Sequence, residues 1–132
     1  MSIDGSITMA WGDGEHRFRL AIGQLRELQE KCNAGPAEIF QRLLDRTWRV
    51  DDLREVLRLG LIGGGMKPAE ALVLVKRYVD ERPLLENVGP ALQVLTAALV
   101  GPEDIASGKD GAPATEETDG SPSAPSTAAE PS

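Results

Sequence analysis

One histidine, one cysteine and five aromatic residues in a chain of 132 leave few groups for chemistry and few large rings for a core. A lone cysteine forms no internal disulfide, and Cys32 falls on an apolar stripe, which predicts a small buried hydrophobe rather than a reactive thiol. His16 has no second histidine or cysteine to complete a metal site, so no metal is expected. It lies between Glu15 and Arg17, as on a solvated strand face, and no general-base role is assigned to it. The serines are concentrated in the last quarter of the chain, where nothing holds a nucleophile in place. No catalytic residue and no cofactor are expected, and the chain reads as a non-enzyme. No stretch approaches the roughly 20 apolar residues of a membrane span. The opening "MSIDGSITMAWGDGE" carries neither a basic leader nor a long apolar run, which predicts a cytoplasmic location. Basic stripes are missing too. Residues 1–100 hold 13 Lys and Arg against 14 Asp and Glu, and residues 101–132 hold 1 against 7, within a net charge of -7. Phosphate contacts need concentrated basic side chains, so direct nucleic-acid binding is not expected.

Glycine, by contrast, is concentrated where it invites a functional reading. The stretch "GLIGGGMKPAEA", residues 60–71, sets three glycines before a helix start. A phosphate-binding loop needs Lys directly after its last glycine and a hydroxyl next. Here Met66 separates Gly65 from Lys67, and Pro68 takes the hydroxyl position. The dinucleotide pattern fails as well, because Gly63 and Gly65 are followed three residues later by Pro68. The preceding "DDLREVLRL" has helical periodicity, whereas such loops follow a buried strand. The glycines therefore read as a helix stop and a tight turn.

Along the chain, "SITMAW" alternates Ile7, Met9 and Trp11 on one face, and "EHRFRL" alternates His16, Phe18 and Leu20 after Gly12-Asp13-Gly14. This predicts a β-hairpin. The period then changes. Ala21, Leu25, Leu28 and Cys32 share one side of a first helix, with Gly35 as its stop. Pro36 opens a second helix, with Ile39, Phe40, Leu43 and Leu44 as its apolar face and an end near Arg46. After an extended "TWRV", Asp51 is the expected N-cap of a third helix with Leu53, Val56, Leu57 and Gly60 on its stripe. Asp51 and Asp52 are a cap and a first-turn acid favoured by the helix dipole, not an acid-base pair. Pro68 opens a fourth helix whose wide face of Ala71, Leu72, Leu74, Val75, Tyr78 and Val79 predicts the central position. Arg82-Pro83 breaks it, and Pro90 starts a fifth with Ala91, Leu92, Leu95, Ala98 and Leu99.

The expected fold class is α+β, mainly α: an N-terminal β-hairpin followed by about five short helices and a disordered acidic C-terminal tail. The boundaries are 1–101 for the helical domain with its hairpin and 102–132 for the tail. That tail is rich in Pro, Ser, Ala, Gly and acids, with Ile105 its one large aliphatic residue. Such a composition buries too little surface to offset the entropy of ordering. With chemistry set aside, the useful surface is expected to be apolar. The candidate partner-binding residues are Gly60, Leu61, Ile62, Gly63, Gly64, Gly65 and Met66, three apolar side chains on a loosely constrained backbone. The plainer alternative has Leu61 and Ile62 filling the core while the glycines allow close helix packing.

The succession of "ITMAWGDGEHRFRL", "WRVDDLREVLRLGLIGGGMKPAEALVLVKRYVD" and "RPLLENVGPALQVLTAALVG" resembles the gene transfer agent family of small tail proteins, grouped with phage tail assembly chaperones. The resemblance covers residues 5–101. It rests most on the hairpin, the "GLIGGGM" turn and the "RPL" after the fourth helix. It implies a tail assembly chaperone of a phage-like particle, made in the cytoplasm of the producing bacterium. Its partners would be the tape measure protein and other tail proteins, with a homo-oligomer allowed. The acidic tail would add solubility to such a complex. Because the family also carries a tail tube label, a structural tube subunit is the alternative. Tube subunits need extended sheets, and one hairpin among helices argues for the chaperone. A small nucleotide-binding regulator or hydrolase is a third and weaker alternative, opposed by the glycine spacing.

Overall fold

The computed structural model describes residues 2–101; the tail expected over 102–132 lies outside the described residues. β1 (Ser6–Trp11) and β2 (Gly14–Arg19) form an antiparallel hairpin in the register Ser6 opposite Arg19, Thr8 opposite Arg17 and Trp11 opposite Gly14. Gly12 takes a φ of 64° at the first position of the two-residue turn, a conformation open to glycine at no steric cost. The alternation predicted from sequence holds. Trp11 and Phe18 are buried, Ile7, Met9 and His16 are half-buried, and Thr8, Ala10, Glu15 and Arg17 face outward.

Five α-helices follow: α1 (Ile22–Cys32), α2 (Pro36–Asp45), α3 (Val50–Gly63), α4 (Pro68–Val75) and α5 (Val88–Leu99). Their starts and stops show how local chemistry divides the chain. The backbone N–H of Ala21 donates to the Gln24 side chain at 3.2 Å, giving α1 a starting cap from within its first turn. Asn33, in the left-handed region at φ 52°, ends α1. Gly35 instead precedes α2 with φ -69°, so the predicted stop is the start of the next helix. Pro36 and Pro68 each occupy a first turn, where a missing amide hydrogen costs nothing. The cap of α3 also differs from expectation. Asp52, not Asp51, does the work by accepting the Arg49 backbone N–H at 2.7 Å, while Asp51 sits in the first turn. The fifth helix begins two residues before Pro90, and a short 3-10 turn, Leu84–Asn87, leads into it.

α3, not α4, is the central helix. It packs on β2, α1, α4 and α5, and it buries Leu53, Val56, Leu57, Leu59, Gly60 and Leu61. A helix touched on so many sides needs apolar residues beyond a single stripe. α4 lies further out: Leu72, which the sequence assigned to the apolar face, is 40% exposed, as is the neighbouring Val73 at 51%. After α4 the helix continues as one wider turn, Lys76–Asp80, closed by Glu81 N–H donating to Lys76 O at 3.1 Å. The Tyr78 carbonyl, in this last turn, accepts from the Asn87 side-chain amide at 2.8 Å. Asn87 is buried, and its Oδ1 accepts from Trp11 Nε1 at 2.7 Å. One polar residue thus fastens β1, the wide turn and the approach to α5.

Candidate interaction surface

The residues from Gly60 to Met66 are a helix end, not a loosely constrained loop. Gly60 to Gly63 form the last turn of α3. Gly64 N–H donates to Gly60 O at 2.9 Å, Gly65 N–H to Ile62 O at 3.0 Å and Met66 N–H to Leu61 O at 3.0 Å. The last two bonds make a Schellman stop, whose left-handed position is Gly65 at φ 115°. Such a stop folds the following apolar side chain back onto the helix, and Met66 is half-buried against the core. Leu61 is 1% exposed and belongs to the core, and Ile62 packs against it. Of the seven sequence-predicted residues only Gly65 is exposed.

The remaining glycines are explained by the hairpin. A Cβ on Gly63 would sit 1.8 Å from Arg19 O, and one on Gly64 would sit 1.9 Å from Arg17 O. The tip of α3 therefore lies directly on the outward carbonyls of β2. Only hydrogen at those two Cα atoms permits the approach, which is also the geometry of Cα–H to carbonyl contacts. Gly60 is tight in a milder way, because its Cβ would meet Phe18 and Val94 side chains at 3.1 Å. The Arg17 guanidinium adds a bond to Gly64 O at 3.4 Å. The outer edge of β2 is sealed at Arg17 and Arg19.

The outer edge of β1 is different. In this register the backbone groups of Ser6, Thr8 and Ala10 point away from β2, since pairs in an antiparallel hairpin alternate between bonded and unbonded. Ser6 is satisfied by the turn before it. Its N–H donates to Asp4 Oδ1 at 3.0 Å, and its carbonyl accepts Ser2 N–H at 3.0 Å. Asp4 is itself held by Ser2 Oγ at 2.6 Å and by Arg17 at 2.9 Å, while Arg19 Nε donates to its carbonyl at 3.0 Å. Hydrogen bonds from Ser2 and Ser6, with Arg17 nearby, hold the Asp4 carboxyl well below the usual carboxylate range. Thr8 and Ala10 are exposed, and among the described residues their backbone groups have no partner.

Charged side chains form a belt rather than a site. Arg58 binds Glu55 at 2.6 Å and Glu27 at 3.2 Å, and Arg54 binds Asp80 at 2.7 Å, joining α1, α3 and the wide turn. The cleft of about 440 Å3 beside them is lined by these paired groups together with Lys31, Pro68, Ala69 and Leu72. Asp52, fully buried, meets Arg42 at 3.2 Å. His16 contacts Asp13 at 2.7 Å and packs edge-on against Trp11. Cys32 is buried, and its Sγ donates to Asp51 O at 3.5 Å. Burial, reinforced by the Asp52 carboxylate, pushes that thiol up to about 12, far from a reactive thiolate. Among the described residues no group of His, Cys, Asp and Glu is arranged to hold a metal, and no helix is long and apolar enough to cross a membrane.

The described fold is thus a small α+β domain, with one sheet edge largely covered, one open edge and a satisfied belt of ion pairs. The family model described as "Phage tail tube protein, GTA-gp10" matches residues 4–101, from the turn before β1 to the end of α5, and the chain belongs to that family. No curated protein and no solved structure matches it. The family bears out the gene transfer agent and phage tail reading of the sequence. Its description agrees with the tube alternative better than with the chaperone.

Proposed function

We propose that this chain takes part in building the tail of a phage-like particle by contact with other tail proteins, without catalysis, and that its place is in the tail tube. The observation that carries this reading is the match to a tail tube family over the whole described fold, residues 4–101. The test is quantitative mass spectrometry of purified particles. A tube subunit is present in many copies per tail, in fixed ratio to other tail proteins. Its absence from tailed particles, with the protein abundant in the producing cells, would end the tube assignment.

A second reading has its own observation. Among the described residues, five α-helices with two short helical turns and one two-stranded hairpin offer little sheet to a continuous tube wall. That balance suits a tail assembly chaperone that binds the tape measure protein in the bacterial cytoplasm and shields its apolar surface before assembly. On this reading the α3 end contributes through the exposed Gly65 and the half-buried Ile62 and Met66, with the exposed Leu72 and Val73 of α4 available beside the core. Co-expression decides it. A soluble complex with the tape measure protein, formed only when this chain is present, supports the chaperone. Unchanged tape measure solubility removes it.

A further inference from the structure

We propose that the open edge of β1 pairs with β1 of a second copy, joining two hairpins into one four-stranded antiparallel sheet. The strand itself selects the occupant, because the free groups of β1 are complementary to those of a second β1. Gly63 and Gly64 cover the outward carbonyls of Arg17 and Arg19, which leaves β2 only Glu15 uncovered. Among the described residues, β1 to β1 is therefore the pairing of two copies with more than one free residue on each side. A two-fold axis through the sheet then makes the strands antiparallel and keeps the core-facing side chains of both copies on one face.

The register follows from which groups are free. Ser6 is occupied by the Ser2–Asp4 turn, and Gly12 begins the hairpin turn, so Thr8 and Ala10 carry the bonding. Centring the axis on Met9 sets Thr8 opposite Ala10 of the second copy, and Ala10 opposite its Thr8. Each pair exchanges two backbone bonds, giving four, whereas centring on Thr8 or on Ala10 gives a single such pair. Nothing on β1 opposes this. "SITMAW" has none of the charges, prolines or bulges by which exposed edges are protected. Thr8 and Ala10 are small, and the half-buried Ile7 and Met9 gain cover, with Met9 facing Met9 and Ile7 facing Trp11 of the other copy. Pairing through a single edge closes at two copies and does not propagate. It is independent of the two roles proposed above, whose tests read particles and client solubility rather than the mass of the isolated chain.

The experiment is light scattering of the purified full chain over a concentration series. The expected mass is twice 14.1 kDa at high concentration, dissociating with a midpoint of ~10 μM, as suits a small contact. Thr8→Pro removes an outward N–H that the hairpin itself does not use and gives a monomer with unchanged circular dichroism. The double variant Thr8→Glu with Ala10→Glu sets like charges opposite each other and weakens association by roughly 10-fold or more. Thr8→Glu with Ala10→Lys sets opposite charges there and restores it to within about 3-fold of the original chain. A monomer at every concentration up to ~500 μM overturns the proposal, as does equal association of the two charge variants. If Thr8→Pro fails to fold, the charge pair still decides.

Discussion

The two edges of one short hairpin meet opposite fates. β2 is capped by the end of α3, while β1 keeps two residues open to solvent. Both strands are six residues long and both alternate, but β2 sets Glu15, Arg17 and Arg19 at its outward positions where β1 sets Ser6, Thr8 and Ala10. A second difference lies far away in sequence, in a helix that ends on two side-chain-free Cα atoms, Gly63 and Gly64. Protection of a sheet edge can thus be encoded in the element that covers it as well as in the strand's own charges. The strand left uncovered is the one to examine for partners.

Breaking the seal has the largest expected effect. Gly63→Ala or Gly64→Ala drives a Cβ to within 2 Å of a backbone carbonyl, where nothing flexible gives way. Each is expected to lower unfolding free energy by about 3–5 kcal/mol in urea titrations, as α3 backs off β2. Gly14→Ala, with nothing within 4 Å of its added Cβ, is expected to stay within about 0.5 kcal/mol. Equal effects at positions 14 and 64 would show that backbone entropy, not the close approach, sets the cost.

These glycines also mark what was legible in sequence. That "GLIGGGM" is a stop and not a phosphate cradle follows from local spacing, and the bonds to Ile62 O and Leu61 O agree. That Gly65 serves the turn while Gly63 and Gly64 serve a strand edge depends on tertiary contact, which no periodicity encodes. The same limit explains α4. Its broad apolar face and its proline start were plain, but a wide stripe does not say how many neighbours will cover it, and Leu72 stays exposed. α3 hid its central role behind Asp52 and Glu55, acids that interrupt its apolar pattern yet are buried against Arg42 and Arg58. Asn87 lay in "LLENVGP", which has the composition of a linker and gave no signal. Pro36, Pro68 and the hairpin were readable because proline and strict alternation act within a few residues.

Next in size is the tie that holds β1 from its core side. Asn87→Ala leaves the Trp11 indole N–H and the Tyr78 carbonyl buried without their partner. The expected loss is about 2–3 kcal/mol in the same titration. Hydrogen exchange should show the hairpin opening before α1 and α2, since the tie touches neither. Uniform loss of protection across all helices would contradict that local account.

The clasp at the start of β1 should contribute less, and its sign is set by pH. Asp4 is depressed in the folded chain, so its contribution is present above the ordinary carboxylate pKa of 3.8 and is lost as pH falls below it. Carbon-detected NMR titration is expected to find the Asp4 carboxyl still ionised at pH ~3, when an unperturbed aspartate is mostly protonated. Asp4→Asn removes the charge attracting Arg17, and should loosen Ser6 without exposing Phe18. Ordinary titration of Asp4 would mean that the clasp is not formed, and the free length of β1 would then include Ser6.

A matched pair of substitutions compares the edges directly, and its β1 member has the smallest expected effect. Thr8 and Arg17 face each other across the hairpin, and both point their backbone groups outward. Proline removes the same unused N–H from either strand. At Thr8 the ring meets solvent, so the expected cost at dilute concentration is about 1 kcal/mol or less, mostly from the altered φ. At Arg17 the ring is placed beside Gly64, whose added Cβ would already come within 3.2 Å of Phe18 N, and the Arg17 bonds to Asp4 and Gly64 are lost. Arg17→Pro should therefore cost at least about 2 kcal/mol more than Thr8→Pro. Working at low concentration keeps association out of the comparison, because binding between native copies adds apparent stability. Equal costs at the two positions would mean that β1 is covered as fully as β2, and the asymmetry between the edges would vanish.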